Sequence, residues 1–193
     1  MKRMFIPATR KGMSVIIALL MALPVCAQTG HFYPSSLFSS GLVSDLCQDK
    51  YGNIWIATDY GLNRFDGYHF TTWLHNEADS TTIRSNTVAS LLSDGEGGLW
   101  VGTNRGLDHY SPATNTFRHF RFPGDIKPRV TEICRFSNDS LFICTAGFGG
   151  YTLHPDGTLT LNQRYAAGDE GYYRGIYEDS RGHIWKYAYN QTF

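Results

Sequence analysis

The sequence predicts an all-β chain: a partial β-propeller of about four consecutive four-stranded blades, the last incomplete, behind a signal peptide. Three observations predict it. An Asp-x-x-Gly motif followed by a Trp recurs along the chain, at Asp49–Trp55, Asp94–Trp100 and Asp179–Trp185. Turns rich in Gly and Asp cut each unit into four short segments of strand length. Aromatic residues make up 15% of the chain and Gly supplies 20 of its 193 residues, a balance that suits strands joined by tight turns.

The N-terminus is a separate element. Lys2, Arg3, Arg10 and Lys11 form a basic region, residues 13–23 are apolar except Ser14, and Val25-Cys26-Ala27 precedes Gln28. This is the pattern of a cleaved secretory signal, so residues 1–27 are expected to leave and residues 28–193 to form the propeller. The apolar run falls short of the roughly 20 residues a membrane span needs. An uncleaved signal would make it an anchor, and Cys26 would be the modified residue of a lipoprotein, although Val25 is bulky for that site. Lys plus Arg and Asp plus Glu both number 17. No block of charge stands out, so the footprint of a nucleic-acid binder is missing.

The first unit reads "DKYGNIWIATDYGLNRFD" from Asp49, and the second "DGEGGLWVGTNRGLDHYS" from Asp94. Upstream, residues 40–47 align with 85–92. A degraded third copy runs through Asn138-Asp139-Ser140-Leu141-Phe142, and a fourth begins at Asp179. Trp55, Trp100, Phe142 and Trp185 are spaced by 45, 42 and 43 residues. Strands are predicted in the first unit at 42–48, 54–58, 62–65 and 69–73. Blades are expected at 40–75, 85–121, 128–163 and, truncated, 172–193. A large ring at one register of successive blades is expected to fill the gap between sheets.

These residues resemble the two-component regulator propeller repeat. Its unit reads Asp-x-x-Gly-Asn-hydrophobic-Trp-hydrophobic-Gly-Thr-x-x-Gly-Leu-x-Arg-aromatic-Asp. The first copy departs mainly at Ala57, where Gly is usual, and the second keeps Gly102 but varies its last strand. The resemblance implies the periplasmic sensor region of a membrane histidine kinase, of the kind whose relatives respond to glycan fragments. Kinase activity carries over to no residue of this chain. The fourth copy stops at Phe193 without its later strands. This suggests an N-terminal piece of a longer protein, whether a truncated reading frame or a fragment. Open blade edges would then meet the remaining blades or a second copy.

No catalytic, cofactor or metal residue is expected, and ligand-binding residues are not assignable. His31, His69, His75, His109, His119, His154 and His183 show no metal-ligand spacing. Gly147-Phe148-Gly149-Gly150 precedes a strand, not the helix that a phosphate loop opens. Asp49, Asp94 and Asp179 invite an acid/base reading, but they hold one turn position in three units and are expected to cap their turns. Cys47 and Cys134 share a first-strand register and are expected to pack as thiols, while Cys134 and Cys144 flank a turn and would bridge only if they face each other. Tyr51 and Tyr60 are turn aromatics that could stack on a sugar. The leading expectation is an exported, ligand-recognising sensor propeller taking an oligosaccharide or other small ligand. An exported propeller hydrolase or lyase and a stand-alone adhesion module are the alternatives.

Overall fold

The computed structural model describes residues 38–163 and 173–188. Residues 1–27, expected to be a signal, lie outside them. The described chain forms fourteen strands in antiparallel sheets. Strands β1 (Val43–Gln48), β2 (Ile54–Thr58), β3 (Gly61–Phe65) and β4 (Phe70–Trp73) build blade 1. Strands β5 (Val88–Ser93), β6 (Leu99–Thr103), β7 (Gly106–Ser111) and β8 (Thr116–His119) build blade 2. Strands β9 (Val130–Arg135), β10 (Leu141–Thr145), β11 (Gly149–Leu153) and β12 (Leu159–Gln163) build blade 3. The pair β13 (Tyr173–Glu178) and β14 (Ile184–Ala188) starts a fourth. Among the described residues no helix is long and apolar enough to cross a membrane.

Each blade is a meander, so its turns alternate between two ends. One end carries the turns β1–β2 and β3–β4 and their counterparts; we call it the Asp-turn end. The crossover end carries the β2–β3 turns and the links from blade to blade. The Thr-x-x-Gly-Leu segment makes the β2–β3 turn. Thr58 and Thr103 are fully buried, and their hydroxyls donate to the carbonyls of Gly61 and Gly106 at 2.8 and 2.9 Å. Gly61 and Gly106 have φ of 119° and 134°, a backbone that a side chain resists. Thr145 repeats the bond to Gly149 across a turn one residue longer.

Successive blades share cores. Trp55, Ala57 and Leu62 of blade 1 pack with Val88, Leu91, Leu99 and Val101 of blade 2. Leu107 of blade 2 joins Val130, Ile133, Ile143 and Tyr151 of blade 3. Phe142 and Cys144 of blade 3 meet Ile176 of blade 4. First strands are also stitched together: Leu91 N donates to Asp45 Oδ2 at 2.7 Å, and one blade on Ile133 N donates to Ser90 Oγ at 3.1 Å.

Close approach explains two residues of the repeat. A Cβ on Gly102 would lie 2.6 Å from Val130 Cγ1, so the gap between blades 2 and 3 admits no side chain there. Blade 1 holds Ala57 at that register, itself fully buried. In the degraded third copy the usual Leu of β3 is Gly150, and the Phe142 ring fills the space where a Cβ would stand.

The rings on the second strands have different fates. Trp55 is 1% exposed and Trp185 is 63% exposed. On the first strands Leu91, Ile133 and Ile176 are buried, whereas Leu46 at the same register is 61% exposed. One face of blade 1 and one face of blade 4 are therefore open. The expectation of a gap-filling ring holds fully for Trp55 and Phe142 and in part for Trp100, which packs half-buried against the core between blades 2 and 3, while Trp185 is exposed.

A candidate ligand cleft between blades 2 and 3

The aspartates of the repeat build the Asp-turn end. Asp49 Oδ1 accepts the N–H groups of Tyr51 and Asn53 at 2.9 and 3.0 Å. Its Oδ2 accepts Asn53 Nδ2 at 2.8 Å and Trp55 Nε1 at 3.0 Å. Asp179 repeats this with the Arg181 and His183 N–H groups, His183 Nδ1 and Trp185 Nε1. Hydrogen bonds from Trp185 and from His183 hold its carboxyl down to about 2. At Asp49 burial pushes upward, but the bonds from Asn53, Trp55 and Tyr51 outweigh it and the carboxyl stays below its ordinary range. All three aspartates are turn caps.

Blade 2 rewires the motif. Asp94 Oδ1 keeps the turn through Glu96 N and Gly98 N, at 2.7 and 2.8 Å. Its Oδ2 pairs with His109 Nε2 at 2.9 Å, in place of the indole bond seen in blades 1 and 4. His109 stands where blade 1 has Arg64, opposite the Trp on the neighbouring strand. Its ring lies 4.4 Å from the Trp100 ring, centroid to centroid. In blade 3 the aspartate seat is filled by Phe136, whose N–H bonds Ser140 O as Asp49 N bonds Asn53 O. Phe136 stacks on Phe142 at 5.7 Å, so a ring pair replaces the carboxylate–indole pair. Asn138 caps the rest of that turn through Ser140 N.

These exceptions open a cleft. A cavity of about 550 Å³ lies between blades 2 and 3 at the Asp-turn end. Trp100 and Phe120 give it an apolar wall, and Asp94, His109, Arg118, Arg135 and His154 supply polar groups. Trp100 is only half-buried there, unlike Trp55. An aromatic face beside planar hydrogen-bonding side chains can stack on a sugar-like ring and bond its hydroxyls. Burial pushes Asp94 upward, but bonds from Glu96 N, from His109 and from Gly98 N leave it below the ordinary carboxylate range. It is a fixed acceptor, not an acid poised to donate.

The other residues singled out above disperse. Tyr51 and Tyr60 are both exposed but lie at opposite ends of blade 1, so they form no shared platform. Tyr51 instead covers Gly97 of the blade 2 turn. His69 faces Asp66 at 3.9 Å, His75 and His119 contact the Ile83 and Thr82 carbonyls, and His154 contacts Thr160. Among the described residues no three His, Cys, Asp or Glu side chains are grouped to hold a metal ion. Among the described residues no disulfide joins Cys47, Cys134 and Cys144. Cys134 stands opposite Phe142 and Cys144 opposite Glu132, so the two cysteines are offset by two residues across the strands. Cys47 and Cys134 are half-buried at the edge of the core and not fully packed.

Two inner-strand carboxyls carry a pH signature. Burial, and after it the charge of Asp45, pushes Glu132 up to about 7. Burial also raises Asp45, against the N–H bonds of Leu91 and Leu46. A carboxyl raised on folding stabilises fully below its ordinary value, 4.5 for Glu132, and that contribution is lost as pH rises through about 7. The melting temperature is thus expected to fall between about pH 5 and pH 8, and Glu132→Gln to flatten that slope. An unchanged slope in the variant would place its origin elsewhere.

The fold and its repeated turns define a β-propeller of tandem blades. Within it, residues 37–60 and 82–105 match the family model described as "Two component regulator propeller". The chain carries two copies of that repeat. It is 39% identical over 75 residues to Histidine kinase P4 of Formosa agariphila, covering 36% of this chain and 6% of that protein. Its fold is similar to the extracellular domain of a protein assigned to the hybrid two component systems of B. thetaiotaomicron, with TM-score 0.69, 24% identity, and coverage of 81% of this chain and 23% of the other. It is also similar to virginiamycin B lyase from Staphylococcus aureus, with TM-score 0.58 and 14% identity over 75% of this chain and 48% of that one. The chain thus spans 6% of the curated relative it matches and 23% of the Bacteroides neighbour.

Proposed function

We propose that this chain is the extracytoplasmic, ligand-recognising propeller region of a two-component regulator, and that its ligand is a glycan fragment held in the Trp100 cleft. The observation that carries this reading is the uncovering of Trp100. The same register buries Trp55 to 1% exposure in blade 1, whereas in blade 2 the ring faces a cleft lined by Asp94, His109, Arg118 and Arg135. The two component regulator propeller repeats and the histidine kinase relative support the signalling context. Export to the periplasm agrees with the signal-like residues 1–27 and with the extracellular placement of the Bacteroides neighbour.

The test is a binding screen of oligosaccharides against the chain and Trp100→Ala, read by calorimetry. At least one oligosaccharide is expected to bind saturably, and the variant to lose ten-fold or more in affinity while remaining folded. Absence of binding across the screen, or an unaffected variant, would overturn the reading. The Asp94–His109 pair gives the enzymatic alternative its one foothold, and turnover of a bound oligosaccharide would favour it.

A further inference from the structure

A second cleft, of about 620 Å³, lies at the crossover end of blade 2, away from Trp100. Its lining includes three cations, Arg84, Arg121 and Lys127, with the His119 imidazole beside them and Asp125 as the carboxylate among them. The chain as a whole has no net charge. Residues 118–129 nevertheless hold Arg118, Arg121, Lys127 and Arg129 against Asp125 alone. Folding adds Arg84 from the preceding crossover.

The cleft is preorganised. Arg84 is fixed from three sides: Nε donates to Asp108 Oδ1 at 3.2 Å, Nη2 to Phe120 O at 3.2 Å, and Nη1 to Arg105 O at 3.5 Å. The loop bearing Arg121 and Lys127 contains a closed turn. Asp125 N donates to Phe122 O at 3.2 Å, closing a turn with Pro123 at its second position and Gly124, φ 74°, at its third. Pro128 further restricts Lys127. Arg121 and Lys127 are exposed and ion-pair with no other described residue. Two unspent cations beside a guanidinium locked in place offer an anion charge-assisted hydrogen bonds, at the cost of ordering the Arg121 and Lys127 side chains.

We propose that this cleft binds an oxyanion, the carboxylate, sulfate or phosphate group of a ligand, with Arg121 and Lys127 making the contacts and Arg84 lining the seat. The proposal is independent of the Trp100 cleft and would stand if that cleft were empty of function. Arg121 offers a planar fork matched to two oxygens, and Lys127 a point charge. Binding is expected to weaken as salt screens the exposed pair.

The test uses the full chain with inorganic sulfate, inorganic phosphate and glucuronate as probes and glucose as the neutral control. Amide shifts of residues 119–127 are followed by NMR. At least one oxyanion is expected to saturate these shifts and glucose to leave them unmoved, and the probe that binds tightest identifies the group. Arg121→Gln/Lys127→Gln should weaken binding ten-fold or more at an unchanged melting temperature, while Lys127→Arg and Trp100→Ala should retain it. Equal response to glucose, no saturable response to any oxyanion, or full affinity in the double variant would each overturn the proposal.

Discussion

Replacing Arg84 by Ala is expected to lower the unfolding free energy by about 3–5 kcal/mol, the cost of stranding a buried charge without its partner. Asp108 is fully buried and accepts both the backbone N–H and the Nε of Arg84, at 2.8 and 3.2 Å. Burial raises its carboxyl pKa, opposed by the Arg84 N–H bond, by the Arg84 charge and by His119. Blade 1 solves the same packing problem without charge. There Asn63, also fully buried, accepts Ser39 N at 3.0 Å and donates Nδ2 to Ser39 Oγ at 2.7 Å. The blade 1 pair and the blade 2 pair occupy equivalent places, each clamping the segment that enters its first strand. Arg84→Ser with Asp108→Asn is therefore expected to recover most of the loss. Denaturant midpoints of the unmodified chain and the two variants check this. If the double variant is as unstable as Arg84→Ala, the equivalence of the two seats fails.

Truncating Trp55 is the other large effect. Trp55→Ala is expected to cost about 3–5 kcal/mol, as for large core rings, whereas Trp185→Ala at the same register should cost under about 0.5 kcal/mol. Trp55 lies 5.1 Å from both the Trp73 and Tyr110 rings and anchors the core shared by blades 1 and 2. Trp185 is 63% exposed. Should Trp55→Ala yield no folded protein, Trp55→Phe is expected to fall between the two in urea midpoint. Equal losses at positions 55 and 185 would mean that the ring stabilises its own hairpin and not the gap between blades.

The architecture was legible because turn chemistry repeats. Asp, Gly and Thr at fixed offsets state where the chain reverses, and each of those offsets reappears as a hydrogen bond in the structure. What was hidden depended on neighbours in space. The third copy reads only as degraded, and it is the fold that shows Phe136 in the aspartate seat. Trp100 looks identical to Trp55 in sequence; its uncovering is set by blade 3 residues some 40 positions away. Tyr51 and Tyr60 seem adjacent along the chain, but a single strand between them sends them to opposite ends. Arg84, Arg121 and Lys127 make no charge run in sequence, and two crossovers bring them to one cleft.

The repeated aspartate divides its labour between two oxygens. Oδ1 belongs to the turn in blades 1, 2 and 4, always taking two backbone N–H groups. Oδ2 is uncommitted by the backbone and takes side chains: the indole and a side chain of the turn itself, Asn53 or His183, in blades 1 and 4, and the His109 imidazole from a neighbouring strand in blade 2. The turn is thus a socket whose wiring can change through one residue on a neighbouring strand, without disturbing the fold. Tandem duplication multiplies such sockets, so one blade is free to acquire a new contact while its siblings go on holding the arc together.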